Sequence, residues 1–384
     1  MKTFHQSPVD AEFVQNPYPF YATARAAGDF IWWEEYGMAA AVSHQAVSAV
    51  LRDRRCGREV PAELAPEIPA RLQPFYDIEA HSMLELEPPR HTRLRKLVVR
   101  AFTSRRVAEL APAIRSLCAD LVAAFPSEPF DLLDAYARPL PVTIIARLLG
   151  VPEDRAPDLL RWSNAMVAMY MAARTRSHED AAVAATLEFH GFLTDVLADL
   201  RAVPNDGLLA ALLQAEGDRL STDELITTAI LLLNAGHEAT VHTLGNSVNF
   251  LLAGGHSPVQ GTVEEALRID PPLHIFTRHV YEDIEFYGER FTRGDQIACV
   301  LASANRDHGV WPDADRFDPT RKLTPHTSFG AGLHFCVGAP LARLELEIAF
   351  EHLFAACPTL RLAQPAEFAD IYHFHGLKRL MVQT

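Results

Sequence analysis

Apolar positions recur at helical spacing from Arg90 to about Leu252, with breaks near Pro126 to Pro129, Gly150 to Pro152 and Pro204 to Gly207. That period predicts a succession of packed helices. Upstream, Pro17 opens a short helix reaching residue 28, and the aromatic and small residues of Phe30 to Val42 predict a strand pair. From Cys56 to Pro89 six prolines erase any period, the mark of a long functional or mobile loop. Strand-like segments return at Ile284 to Tyr287 and Gln296 to Leu301, and Pro340 begins the amphipathic run Leu341 to Phe354. The pattern is mostly α with minor β, and it contains no internal repeat.

Ser221-Thr222-Asp223-Glu224 forms a capping box, a serine followed three residues later by a glutamate. The run it starts continues to about Leu252, roughly 45 Å of helix at 1.5 Å per residue. Its middle, Asn234-Ala235-Gly236-His237-Glu238-Ala239-Thr240, interrupts an apolar run with a glycine and polar groups. A mid-helix glycine costs about 1 kcal/mol against alanine. Such a position implies close approach of something flat, or a local bulge of the helix.

Composition narrows the field. The chain has 384 residues, 49% of them hydrophobic, and no low-complexity tract, so it can bury a large core. A net charge of −14 argues against nucleic acid as a partner. The five cysteines show no disulfide or zinc spacing, which suits a reducing cytoplasm. Met1 to Phe20 is polar, with neither a signal-peptide core nor a membrane span. Residues 88–108 contain no acid but carry Arg90, Arg93, Arg95, Lys96, Arg100, Arg105 and Arg106. That segment is either a solvated helix face or a docking surface for an acidic partner protein.

The densest chemistry lies in Phe329-Gly330-Ala331-Gly332-Leu333-His334-Phe335-Cys336-Val337-Gly338. Three glycines permit tight turns and close backbone approach. Cys336 precedes a helix N-terminus, where free N–H groups and the helix dipole favour a thiolate. The segment matches F-x-x-G-x-H-x-C-x-G and so resembles the haem-ligand signature of the cytochrome P450 family. The likeness runs from Asn16-Pro17-Tyr18-Pro19-Phe20 to Ala342-Arg343-Leu344-Glu345.

The resemblance implies a mixed, triangular-prism fold with a long central helix and small β-sheets, in one domain over residues 1–384 with no fused reductase. It implies haem b (iron protoporphyrin IX) as cofactor, with Cys336 as axial ligand in a site that also includes Phe329 and Gly338. His91, Arg95, Arg278 and His334 then serve as propionate contacts, and Ala235 and Gly236 as haem-facing positions. Glu238 takes the family's proton-delivering acid position. The threonine expected directly after it is Ala239, and Thr240 lies one residue on, about 100° round the helix. Some family members share this alanine, and there a substrate hydroxyl and ordered water stand in for the alcohol. Glu265 and Arg268 match the structural E-x-x-R pair, with Arg316 the first candidate to complete it and Arg321 the second. Gly254 to Gly261 replaces a helix the family usually inserts.

The family's pocket-lining regions map onto the loop Cys56 to Pro89, Met166 to Met171, Leu233 to Ala239, Leu273 to Thr277 and Tyr372 to His375. Met166, Leu233, Phe276 and Phe374 are the substrate candidates, although core packing is the better explanation for most single Met or Phe residues in these regions. The implied activity is insertion of one atom of O₂ into a small, largely apolar organic substrate. Electrons would come from a separate ferredoxin and ferredoxin reductase, or a flavodoxin, with no nucleic acid or membrane involved. The competing readings are a peroxide-driven oxygenase, a non-catalytic haem sensor or carrier, and, remotely, a haem-free scaffold. Peroxide users in the family replace the acid by an arginine–proline pair, which Glu238-Ala239 does not.

Overall fold

The computed structural model describes residues 1–384 apart from 172–173, 215–219, 323 and 371–373. Its axis is the helix Thr222–Ala253, about 48 Å long at 1.5 Å per residue. The capping box forms as expected. Ser221 Oγ accepts the Glu224 N–H at 3.1 Å, and the Glu224 carboxylate accepts the Ser221 N–H at 3.0 Å. The helices Pro139–Leu149, Ala156–Val167, Arg176–Ala202 and Ala339–Ala356 pack around it, and their apolar faces merge into one large core. Among the described residues only Arg176–Ala202 is long and apolar enough to cross a membrane. It packs against Ala156–Val167 and Gln73–Glu79.

The central helix does not bulge. It stays α-helical through residues 234–240, and a Cβ on Gly236 would lie 3.2 Å from Ile145 Cδ1. The close approach that this glycine permits is thus to the neighbouring helix Pro139–Leu149.

The minor β component is a six-stranded sheet in the order Lys2–Phe4, Phe30–Trp33, Met38–Ala41, Gln296–Val300, Ile275–Val280, Cys56–Gly57. Phe30–Trp33 and Met38–Ala41 are the expected strand pair, registered Phe30 to Ala41 and Trp33 to Met38. Ile275–Val280 is an unforeseen strand, antiparallel to Gln296–Val300. Thr277, Arg278 and His279 give it no apolar alternation, and Arg278 and His279 are buried all the same. Two smaller cores flank this sheet. The proline-rich stretch 56–89 is less irregular than its sequence suggests, since it holds the helix Gln73–Glu79 and short 3₁₀ turns. Gly254 to Gly261 is a loop, as expected, and the helix Thr262–Ile269 follows directly.

Candidate active site

The cysteine loop closes on itself, with the Cys336 N–H donating to the Phe329 carbonyl at 2.9 Å. Gly330 and Gly332 adopt φ of 68° and 69°, the left-handed region that favours glycine. A Cβ on Gly332 would lie 2.4 Å from the Leu51 carbonyl oxygen, so the loop is pressed against the helix His44–Arg52. Gly338 precedes the helix Ala339–Ala356, with Pro340 in its first turn. The Arg343 guanidinium lies over the Phe329 ring, 4.6 Å from its centroid.

Cys336 is exposed, whereas Cys56, Cys118, Cys299 and Cys357 are all buried. The N–H groups of Gly338 and Ala339 reach its sulfur, and the charges of Arg95 and Arg343 lie near it. One side of the residue is open, yet burial of the sulfur outweighs these groups and raises the thiol pKa. The helix terminus alone therefore does not produce the thiolate expected from the sequence. A bound cation would, since a coordinating thiol is deprotonated outright.

Next to the loop lie the expected cation donors. The His91 and His334 rings stand 4.4 Å apart. Arg95 donates to the Phe335 carbonyl at 2.5 Å. His91 is buried and among the described residues its Nδ1 has no hydrogen-bond partner; burial, then the charges of His334 and Arg95, push its pKa down to about 4. Arg278 is 2% exposed. Its one side-chain hydrogen bond goes to the Thr277 carbonyl at 2.8 Å, and among the described residues no carboxylate forms an ion pair with it. A buried guanidinium without an anion is costly, so the position fits a carboxylate brought by a ligand. His334 Nε2 instead meets Glu87 Oε1 at 2.9 Å, and the same oxygen accepts the Arg58 N–H at 2.8 Å. Sequence reasoning missed Glu87, although it stands immediately before the Pro88-Pro89-Arg90-His91 run.

Gly236 is half-buried beside Ile145, and Leu231, Asn234, Ala235, Glu238 and Ala239 are the other less buried positions at mid-helix, with Ala235 exposed. Their spacing of three and four residues makes one open line on a helix otherwise packed in the core. Glu238 is gripped by two histidines, His237 Nε2 and His242 Nε2, each 3.2 Å from one carboxylate oxygen. Burial raises its pKa, but these two contacts prevail and hold the carboxyl well below the usual carboxylate range. His237 is anchored in turn by the Leu233 carbonyl at 2.9 Å. The Thr240 hydroxyl is committed to the Gly236 carbonyl at 3.2 Å, so it does not replace the hydroxyl missing at Ala239.

The structural pair requires a correction. Glu265 and Arg268 form two bonds of 2.7 Å, but the arginine that completes them is Arg321, with Nε 3.2 Å from Glu265 Oε1. Arg316 has an exposed side chain and contributes only its carbonyl, to Arg268 at 3.2 Å and Arg321 at 2.9 Å. The substrate candidates separate as well. Met166 and Leu233 are 1% exposed in the core, whereas Phe276 and Phe374 are half-buried. Phe276 lies against Gly330, and Phe374 lies 5.4 Å from the His242 ring. Tyr372 lies outside the described residues. His274 turns away from this region toward Tyr21, at 3.1 Å.

Taken together, the donor set fits an iron porphyrin. Among the described residues it offers an exposed thiol at a helix terminus, a buried guanidinium lacking an acid, an unpartnered buried imidazole nitrogen and an open line along a core helix.

Residues 259–365 match the family model for Cytochrome P450. The chain is 43% identical over 300 residues to Cytochrome P450 107B1 of Saccharopolyspora erythraea, covering 75% of this chain and 72% of that protein. It is 38% identical to the vitamin D(3) 25-hydroxylase of Pseudonocardia autotrophica, covering 91% and 89%. Among solved structures it is similar to P450BioI in complex with hexadec-9Z-enoic acid ligated acyl carrier protein. There the TM-score is 0.91 and the identity 30%, over 98% of this chain and 100% of that one.

Proposed function

Because the chain belongs to the cytochrome P450 family and is a haem-thiolate monooxygenase, we propose specific roles for its residues, within a single domain over 1–384. When bound, haem b supplies the redox chemistry that inserts one atom of O₂ into an organic substrate. Cys336 would hold the haem iron as a thiolate, its negative charge stabilised by the N–H groups of Gly338 and Ala339. Arg278, Arg95, His91 and His334 receive the two propionates, Arg278 being the buried donor left without an acid.

Glu238 handles protons on the open line of the central helix, with His237 and His242 fixing its orientation. Ala239 leaves that line without a hydroxyl, so a substrate hydroxyl or water completes the chain of donors. Phe276 and Phe374 form apolar contacts with the substrate. The likeness to a vitamin D(3) 25-hydroxylase and to a structure holding a fatty acyl group supports a largely apolar one. In the basic segment Arg90, Arg93 and Arg105 are paired with Glu59, Glu224 and Glu109. Lys96 and Arg100, both exposed, form the docking cations for a ferredoxin in the cytoplasm, reduced by a separate reductase.

The observation that carries the site is that Cys336, alone among five cysteines, is exposed and faces two helix-terminal N–H groups. Cys336→Ser is expected to keep its circular dichroism spectrum, lose the thiolate signature of the reduced carbonyl complex and lose O₂-dependent turnover. An unchanged signature in that variant would refute the assignment.

A further inference from the structure

A second cluster of donors lies away from the cysteine loop, where the N-terminal helix meets the C-terminal segment. Asp270, at the end of the helix Thr262–Ile269, faces His274 and His375. One donor atom from each of the three lies within 4.8 Å of the other two. His375 Nδ1 is 2.9 Å from Asp270 Oδ1, and His274 Nε2 is 3.7 Å from the same oxygen. The surrounding bonds hold these groups in place. Tyr21 Oη is 3.1 Å from His274 Nδ1, the Tyr18 hydroxyl donates to Asp270 Oδ1 at 2.5 Å, and Asn246 Nδ2 donates to Asp270 Oδ2 at 3.3 Å.

Both histidines are buried, at 2% and 7% exposure, and among the described residues the Nε2 of each has no hydrogen-bond partner. An orphaned ring nitrogen in a buried site is expensive unless something occupies the space beside it. A cavity of about 20 Å³, largely apolar in its walls, is lined on one side by His274 and His375, and Asp270 lies outside its lining. That volume is room for a single small occupant. Ligands bonded at about 2.0–2.1 Å in tetrahedral geometry stand roughly 3.4 Å apart, close to the 3.7 Å separation of His274 and Asp270.

We propose that Asp270, His274 and His375 bind one divalent transition-metal ion of the imidazole-preferring class, such as Zn²⁺, with water as a further ligand. The ion would tie residue 375 to the helix Tyr18–Ala27 through Tyr18 and Tyr21, so its effect is on stability. The alternative occupant is a water molecule, which would satisfy the same nitrogens without charge.

The test uses tag-free, haem-loaded enzyme, stripped with EDTA and titrated with Zn²⁺ against a chromophoric chelator. Wild type is expected to bind one equivalent beyond the haem iron and to melt at a higher temperature with Zn²⁺. His274→Asn, His375→Asn and Asp270→Asn should each weaken binding at least tenfold and lose the thermal shift. No retained zinc, or equal binding in wild type and the variants, would overturn the site. Should the variants misfold, anomalous scattering at the zinc edge from crystals of unmodified holoenzyme decides. A peak between the three side chains supports the site, and a peak elsewhere or none refutes it.

Discussion

Arg268, Arg321 and Arg316 carry the same formal charge in the same neighbourhood, so their replacement by alanine separates geometry from charge. Arg268 is 3% exposed. It donates twice to Glu265 and to the carbonyls of Asn305, Ala314 and Arg316. Arg268→Ala leaves a buried carboxylate short of its main partner, which costs about 3–5 kcal/mol. Arg321→Ala removes one 3.2 Å contact to Glu265 and several carbonyl bonds. Glu265 keeps Arg268 and the Asp318 N–H at 2.8 Å, so the loss is about 1–2 kcal/mol. Arg316→Ala leaves every one of these bonds in place, because Arg316 contributes only backbone, and should cost less than about 0.5 kcal/mol.

At about 2.1 cal/mol/K per residue, the unfolding entropy of a chain this long is roughly 0.8 kcal/mol/K. The three variants should therefore lower Tm by about 4–6 °C, 1–3 °C and less than 1 °C respectively. Calorimetry of the holoenzyme, with loss of the haem Soret band followed in parallel, reads the order directly. If Arg316→Ala matched Arg268→Ala while Arg321→Ala was silent, the assignment of Arg321 would be wrong. A double-mutant cycle of Arg321→Ala with Glu265→Gln should add a coupling of about 0.5–3 kcal/mol, and strict additivity would say the two do not interact.

Ala239→Thr should raise product formed per NADPH on substrates that lack a hydroxyl and lower it on a hydroxylated native substrate; equal coupling across both classes refutes substrate assistance. His242→Asn removes one of the two contacts that depress Glu238, so the acid limb of the pH profile of kcat/KM should move to higher pH, and an unmoved limb would show that His242 does not tune the acid. Glu345 is buried with its pKa raised by burial alone, so the folded state holds a proton that the unfolded chain releases above about pH 4.5. Stability then falls by about 1.4 kcal/mol per pH unit from there until the folded pKa is reached. Glu345→Gln should abolish that slope and stabilise the enzyme at pH 7, and denaturant unfolding across pH 4–8 checks it.

What the sequence disclosed divides by the range of the interaction. The capping box at Ser221 and the turns of Gly330 and Gly332 are set by residues within a few positions of one another, so their spacing displays the chemistry directly. Arg321 and Arg316 are five residues apart in one loop, and only the path of that loop over Glu265 decides which guanidinium turns inward. Gly236 reads as a contact for a flat ligand until Ile145, distant in sequence, is found filling the space beside it. The grip of His242 on Glu238 is an i, i+4 pair and was open to inspection, yet a histidine on a core helix has many ordinary roles. The cluster of Asp270, His274 and His375 lies beyond any such reading, since its third member arrives 105 positions after the first. Local patterns therefore mark the candidate centre, while the groups packed around it are assembled by tertiary contact and become visible only once the chain is folded.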